Sequence, residues 1–313
     1  MKYFFTTLRN LKLKNFEKDF QELIPGLNIT NKLSLKEKLL TQKNRDSIGI
    51  IETHHILNSD TLVFYEYEDK EEIFEGLSNL QILEIILRWV DDLLKNSWLH
   101  KDNCIVCDTA YLIDSSHDYS EASSLRLQYI HTYSTGGFEL VEYSEKDLMD
   151  LVHIHDKVES YLCGKESGSL RFMLEKNFSR IGRALLFVKQ ARECRNLAYK
   201  ISNYCSALET LFTTDNMELS HKLSERTAFF LANQDSKMDI FSIIKKAYTV
   251  RSKLTHGASL DPKQIDNLPE ISSQTDRILR EAFIKILYDD SLRELFDSNN
   301  KRIDDYFIQL IMN

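Results

Sequence analysis

The stretch Ile240-Phe-Ser-Ile-Ile-Lys-Lys-Ala-Tyr248-Thr-Val-Arg251-Ser-Lys-Leu-Thr-His256-Gly257 decides how the second half of the chain is read. Ile240, Ile243, Ile244, Ala247, Tyr248 and Leu254 recur at the helical period and share one face. At about 100° per residue, Arg251 falls about 20° from Ile240, inside that apolar stripe. A guanidinium on a core-facing stripe is costly unless it is paired or opens onto a polar cleft. Gly257 is a natural helix stop, so His256 is expected at the fraying end, free to turn toward Arg251. In a continuing helix the two would diverge by about 140°. An arginine can grip phosphate oxygens in a planar fork, and a histidine can move a proton near neutral pH. A lone R-x4-H is common, however. A buried ion pair for the arginine and a dipole-complementing histidine are the plain alternatives.

The segments upstream bear on that choice. Tyr199 to Phe212 places Ile201, Tyr204, Cys205, Leu208, Leu211 and Phe212 on one helical stripe, with Glu209 at its flank. Ser220 to Leu231 is a second amphipathic helix and carries Arg226. The ordered motifs A-L-E-x-L-F, K-L-S-x-R-x-A and Y-x-x-R-S-K-L-x-H-G resemble the Apea-like branch of the HEPN superfamily, over roughly residues 170 to 290.

That resemblance implies an all-α bundle that assembles as a homodimer or higher homo-oligomer, with the Arg/His pairs of both subunits lining one cleft. It implies RNA cleavage, transfer RNA among the candidate substrates, without metal or other cofactor. The setting it implies is prokaryotic defence against phage, as an abortive-infection toxin answering a phage-derived trigger. Carried over by position, Arg251 and His256 are the catalytic pair. Glu209 matches the family's acidic position, Arg226 its basic one and Ser252 the polar residue after the arginine. Tyr248 and Lys253 complete the motif. Some relatives keep the bundle without activity, so a noncatalytic RNA-binding or protein-interaction module is the rival reading.

Charge is compatible with an RNA partner. Between Ala191 and Leu260 ten lysines and arginines outweigh seven acidic residues, in a chain of net charge −8. A globally acidic protein is a poor nonspecific binder of nucleic acid, which favours a narrow cleft beside Lys245, Lys246, Arg251 and Lys253.

The first half reads differently. Ser47–Glu52, Thr61–Tyr67, Asn103–Asp108 and Leu125–Tyr133 have strand character, a long amphipathic helix runs from about Leu77 to Trp98, and Gly136-Gly137 marks a turn. The expected class is α+β: a mixed α+β sensing or regulatory module over 1–143, then the helical nuclease domain over 144–313.

Other chemistry finds little support. Cys104 and Cys107 form one C-x2-C near His100, His54 and His55, but on a strand the two thiols would point to opposite faces. His153 and His155 are two apart on a helix and do not share a face. No phosphate-cradling glycine loop and no nucleophile elbow is present. The N-terminus has no apolar run long enough for an export signal, and Glu84 and Arg88 interrupt the most apolar helix. Five cysteines without such a signal are expected as reduced thiols in the cytoplasm.

Overall fold

The computed structural model describes residues 2–67, 72–115, 120–127, 129–162, 178–215, 217–231 and 236–312. Its contacts divide the chain into two compact units. One comprises Met1–Ile130 and Glu139–His155, the other His131–Phe138 and Asp156–Asn313.

The first unit is built on strands β1 (Lys2–Arg9), β2 (Leu11–Leu13), β3 (Gln21–Ile24), β4 (Leu27–Thr30), β5 (Leu62–Tyr67), β6 (Val106–Asp114), β7 (Glu121–Leu125) and β8 (Val141–Tyr143). Six of them form one antiparallel sheet in the order β3-β4-β5-β1-β6-β7, and β2 pairs with β8 in parallel. Helices α1 (Leu33–Leu39), α2 (Gln42–Ile48), α3 (Ile50–Asn58) and α4 (Asn79–His100) complete it. Alternation along the strands sorts side chains between two cores. Phe4, Val63 and Tyr65 join Leu83, Ile86, Leu87 and Val90 of α4. Phe5, Leu62 and Phe64 join Leu39 and Ile56 of the short helices and Leu40, the residue that caps α1. With both faces covered, β1 is buried from Phe4 to Leu8. A capping box between Ser78 and Gln81 starts α4.

Two strand expectations are corrected. Ser47–Glu52 is the junction of α2 and α3, not a strand. Gly49 turns there at φ 98, a conformation side-chain-bearing residues rarely take, and Thr41 caps α2. In Leu125–Tyr133 only Leu125 belongs to a strand, the last residue of β7, and position 128 lies outside the described residues. The helix expected near Leu77–Trp98 is α4, and Thr61–Tyr67 contains β5.

Helix α5 (Glu145–Leu162) begins in the first unit, because Val141, Tyr143, Leu148 and Leu151 fill the core beneath α4.

The second unit is helical: α6 (Arg180–Glu193), α7 (Leu197–Phe212), α8 (Leu219–Phe230), α9 (Lys237–Thr255), α10 (Pro262–Asp266), α11 (Leu268–Leu287), α12 (Asp290–Phe296) and α13 (Asn300–Met312). All six stripe residues of α7, from Ile201 to Phe212, are fully buried. Ile201 and Cys205 pack with Ala247 and Val250 of α9 and Ile271 of α11. Phe212, Phe230, Phe296 and Phe307 form an aromatic cluster, Phe212 and Phe230 lying 5.3 Å apart. The segment 131–138 docks here through backbone polarity. The Thr132 amide donates to the Arg192 carbonyl at 2.7 Å, and the Ser272 hydroxyl donates to the Ser134 carbonyl at 2.5 Å. Gly136 turns at φ 79, and a Cβ there would meet the Arg195 carbonyl oxygen at 2.7 Å. Among the described residues no helix is long and apolar enough to cross a membrane.

Candidate functional site

Arg251 lies on the last turns of α9 and Glu209 on the last turn of α7, helices packed through their apolar stripes. Arg251 Nη2 donates to Glu209 Oε2 at 2.9 Å. Arg251 Nη1 is also 2.9 Å from Glu209 Oε1, an ion-pair contact without hydrogen-bond alignment, so Oε1 accepts no hydrogen bond among the described residues. The Arg251 side chain is 26% exposed and that of Glu209 16%. The pair therefore sits at the edge of the core, facing out.

Tyr248, one turn before Arg251, completes the group. Its phenol oxygen accepts from Arg251 Nη1 at 3.2 Å, and the guanidinium carbon stands 5.3 Å from its ring centre. Burial raises the Glu209 carboxyl pKa, and the Arg251 charge opposes that rise. Burial and then the Glu209 charge push the Tyr248 phenol up. One turn inward of Glu209, the buried Cys205 thiol is raised by burial and by the same carboxylate.

The C-terminus of α9 forms as its sequence suggests. Gly257 adopts φ 69, its amide donates to the Leu254 carbonyl at 3.4 Å, and the Ala258 amide donates to the Lys253 carbonyl at 2.9 Å. This is a Schellman closure. It leaves His256 as the capping residue, exposed to solvent, its amide donating to the Ser252 carbonyl at 3.0 Å. Among the described residues the His256 imidazole makes no hydrogen bond, and Arg251 pairs with Glu209 and Tyr248 instead.

The remaining residues divide. Ser252 is half-buried beside Arg251. Lys253 Nζ donates to Gln264 Oε1 at 2.7 Å, and Gln264 forms a capping box with Asp261 at the start of α10. The sequence reading missed that anchor, although D-P-x-Q is a readable helix start. Arg226 belongs to another cluster. It donates to the Phe212 carbonyl at 2.9 Å and to Asp304 at 2.6 Å, and it lies 5.0 Å from the Phe307 ring centre, tying α8 to α7 and α13.

The weaker constellations have structural partners. Cys104 and Cys107 are both buried, Cys104 Sγ donating to the Glu139 carbonyl at 3.2 Å, and burial pushes the Cys107 thiol up to about 12. His155 is buried against the Asn96 amide at 2.9 Å, while His153 is exposed on the same helix.

What the site can do follows from these groups. A part-exposed guanidinium can receive an anion that displaces its carboxylate partner. An exposed imidazole one turn further on can exchange a proton with whatever that anion carries. Comparisons with protein-family models, curated proteins and solved structures return no match for this chain.

Proposed function

We propose that the protein is a metal-independent RNA endonuclease of HEPN type, acting through Arg251 and His256 as a homodimeric anti-phage effector. The observation that carries this reading is Arg251: a half-buried guanidinium on the apolar flank of α9, paired with Glu209 and bonded to Tyr248, with a solvent-exposed histidine at the end of the same helix.

The chemistry is that of RNA itself. The ribose 2′-oxygen attacks the adjacent phosphorus, the bond to the 5′-oxygen breaks, and the products are a 2′,3′-cyclic phosphate and a 5′-hydroxyl. The substrate supplies its own nucleophile, so the protein needs only charge and proton transfer. Arg251 stabilises the charge that builds on the phosphorane oxygens. The His256 imidazole takes the 2′-hydroxyl proton when neutral, and when protonated it supplies one to the leaving 5′-oxygen.

The rival reading, a noncatalytic RNA-binding or protein-interaction module on the same bundle, is favoured by one observation. The fork of Arg251 is engaged by Glu209, and no described side chain orients His256. Treating total cellular RNA, including transfer RNA, with the protein in EDTA separates the two. Cuts ending in 2′,3′-cyclic phosphate by the wild type and not by His256→Ala support the nuclease. Identical patterns from both proteins would overturn the role of His256.

A further inference from the structure

Helix α9 carries a row of residues outside its buried face, in which Tyr248 also bonds Arg251 and His256 stands at the end. Lys237, Phe241, Lys245, Tyr248, Ser252 and His256 follow at intervals of three or four. At about 100° per residue they stay within an arc of about 100°, and at about 1.5 Å per residue they extend over about 28 Å. The buried residues of α9, Ile240, Ile244, Ala247 and Val250, lie to one side of this arc. Asp239, the one acidic residue of α9, falls about 200° from Lys237 and outside it.

The row alternates cations with part-exposed rings. Lys237 Nζ stands 4.0 Å from the centre of the Phe229 ring of α8. Lys245 Nζ stands 5.6 Å from Phe241, whose ring meets the exposed His221 imidazole edge-on at 5.5 Å. Arg251 and Tyr248 repeat the arrangement at 5.3 Å. Lys237, Lys245 and His221 are exposed, and Phe229, Phe241 and Tyr248 are half-buried. Helix α8 itself carries one acidic residue, Glu225, 3.9 Å from His221.

We propose that this flank of α9 is a track for single-stranded RNA, laid along the helix toward His256. A nucleobase takes the face of Phe229 and of Phe241, and the lysine it displaces, Lys237 or Lys245, takes the neighbouring phosphate. Stacking on aromatic rings combined with backbone-tracking cations is how single strands are held without reading sequence. Duplex RNA keeps its base faces inside the helix and cannot use the rings. The proposal deepens the nuclease reading by naming its substrate class, and it rests on that reading only for the direction of the track.

The test uses the full chain and a fluorescent oligoribonucleotide of about a dozen nucleotides, 2′-O-methylated throughout so that no attacking hydroxyl remains. Its anisotropy is followed over a range of salt concentrations, as a single strand and as a duplex. The single strand is expected to bind more tightly than the duplex. Phe241→Leu weakens it roughly tenfold through lost stacking. Lys245→Gln lowers the slope of log affinity against log salt by about 0.7, one phosphate contact. Lys301→Gln, an exposed lysine on α13 and not on α9, changes neither. Equal binding of duplex, equal effects of Lys245→Gln and Lys301→Gln, or no binding at all would overturn the track. The two readings fail separately. If binding follows the row but unmodified RNA stays intact, the track stands and the nuclease falls. If RNA is cut through His256 while Phe241→Leu and Lys245→Gln bind as the wild type does, the nuclease stands and the track falls.

Discussion

The two terminal nitrogens of the Arg251 guanidinium each stand 2.9 Å from a carboxylate oxygen of Glu209, 42 positions earlier in the chain. The pair converts a charge on an otherwise apolar helix face into an oriented surface group. Neither residue is fully buried, so water still reaches the guanidinium, and the cost of desolvating it is shared with its partner.

Glu209→Gln should therefore act on two observables. Losing one partner of a pair this far buried is expected to cost about 1–3 kcal/mol of stability, between the values for exposed and buried pairs. Urea denaturation measures it. The Glu209 charge also raises the Tyr248 phenol pKa, so removing it should bring that phenol's ionisation to lower pH. Ultraviolet titration, differenced against the same protein carrying Tyr248→Phe, reads the change. An unchanged phenol would show that the carboxylate is not beside it in solution.

Gly257→Ala probes the end of α9. A Cβ at this position meets nothing within 4 Å, so the penalty comes from the positive φ of 69 alone. We expect a loss of about 1 kcal/mol. RNA cleavage, if His256 performs it, should fall by more than that stability loss explains, because the turn that places the imidazole is altered. Thermal melting alongside an initial-rate assay separates the two effects.

Asp147 gives the pH dependence. Burial works to raise its carboxyl pKa, but hydrogen bonds from Lys101, the Ser144 amide, His100 and the Ser144 hydroxyl outweigh it and hold the pKa far below its ordinary 3.8. A depressed folded-state pKa stabilises the fold above the unfolded value, and that contribution is lost as pH falls toward the folded one. Asp147→Asn should cost about 1.5–3 kcal/mol near neutral pH. The gap to wild type should narrow only below pH 3.8. A gap independent of pH down to that range and beyond would mean that packing, not charge, is lost.

Thiol reactivity should follow burial. Cys205 and Cys107 are buried with raised pKa values, and Cys104 is buried, whereas Cys194 is half-buried. Among these four, timed alkylation of the native protein read by peptide mass spectrometry should label Cys194 first. Early labelling of Cys205 would mean that α7 and α9 separate readily.

What the sequence could and could not reveal divides along physical lines. The buried face of α7 and the stop at Gly257 depend on local period and local backbone freedom, and both are readable residue by residue. Ser47–Glu52 misled because a short apolar run has no period long enough to separate strand from helix. The strand at Lys2–Arg9 went unread because burial on both sides removes the alternation that marks a strand. At the site, the apolar phase of Arg251 predicted that it needed a partner, and Glu209 was one of the residues set beside it. That Glu209 fills the arginine's fork, while Arg226 turns to Phe212 and Asp304, depends on how α7, α8, α9 and α13 pack. No local pattern encodes that.

The position of β1 has a consequence for how the chain reaches its fold. This strand lies in the middle of the six-stranded sheet, between β5 and β6, yet it precedes both in the chain. Thr7 pairs with Leu62 and Lys2 with Asp114. On the ribosome this central strand is synthesised before either neighbour and waits for both, and closing these distant pairings slows folding. Until Asp114 has emerged, Phe4 and Phe5 have no complete sheet to enter. The nascent chain is then at its most prone to aggregate, and chaperones would bind it most readily at that stage.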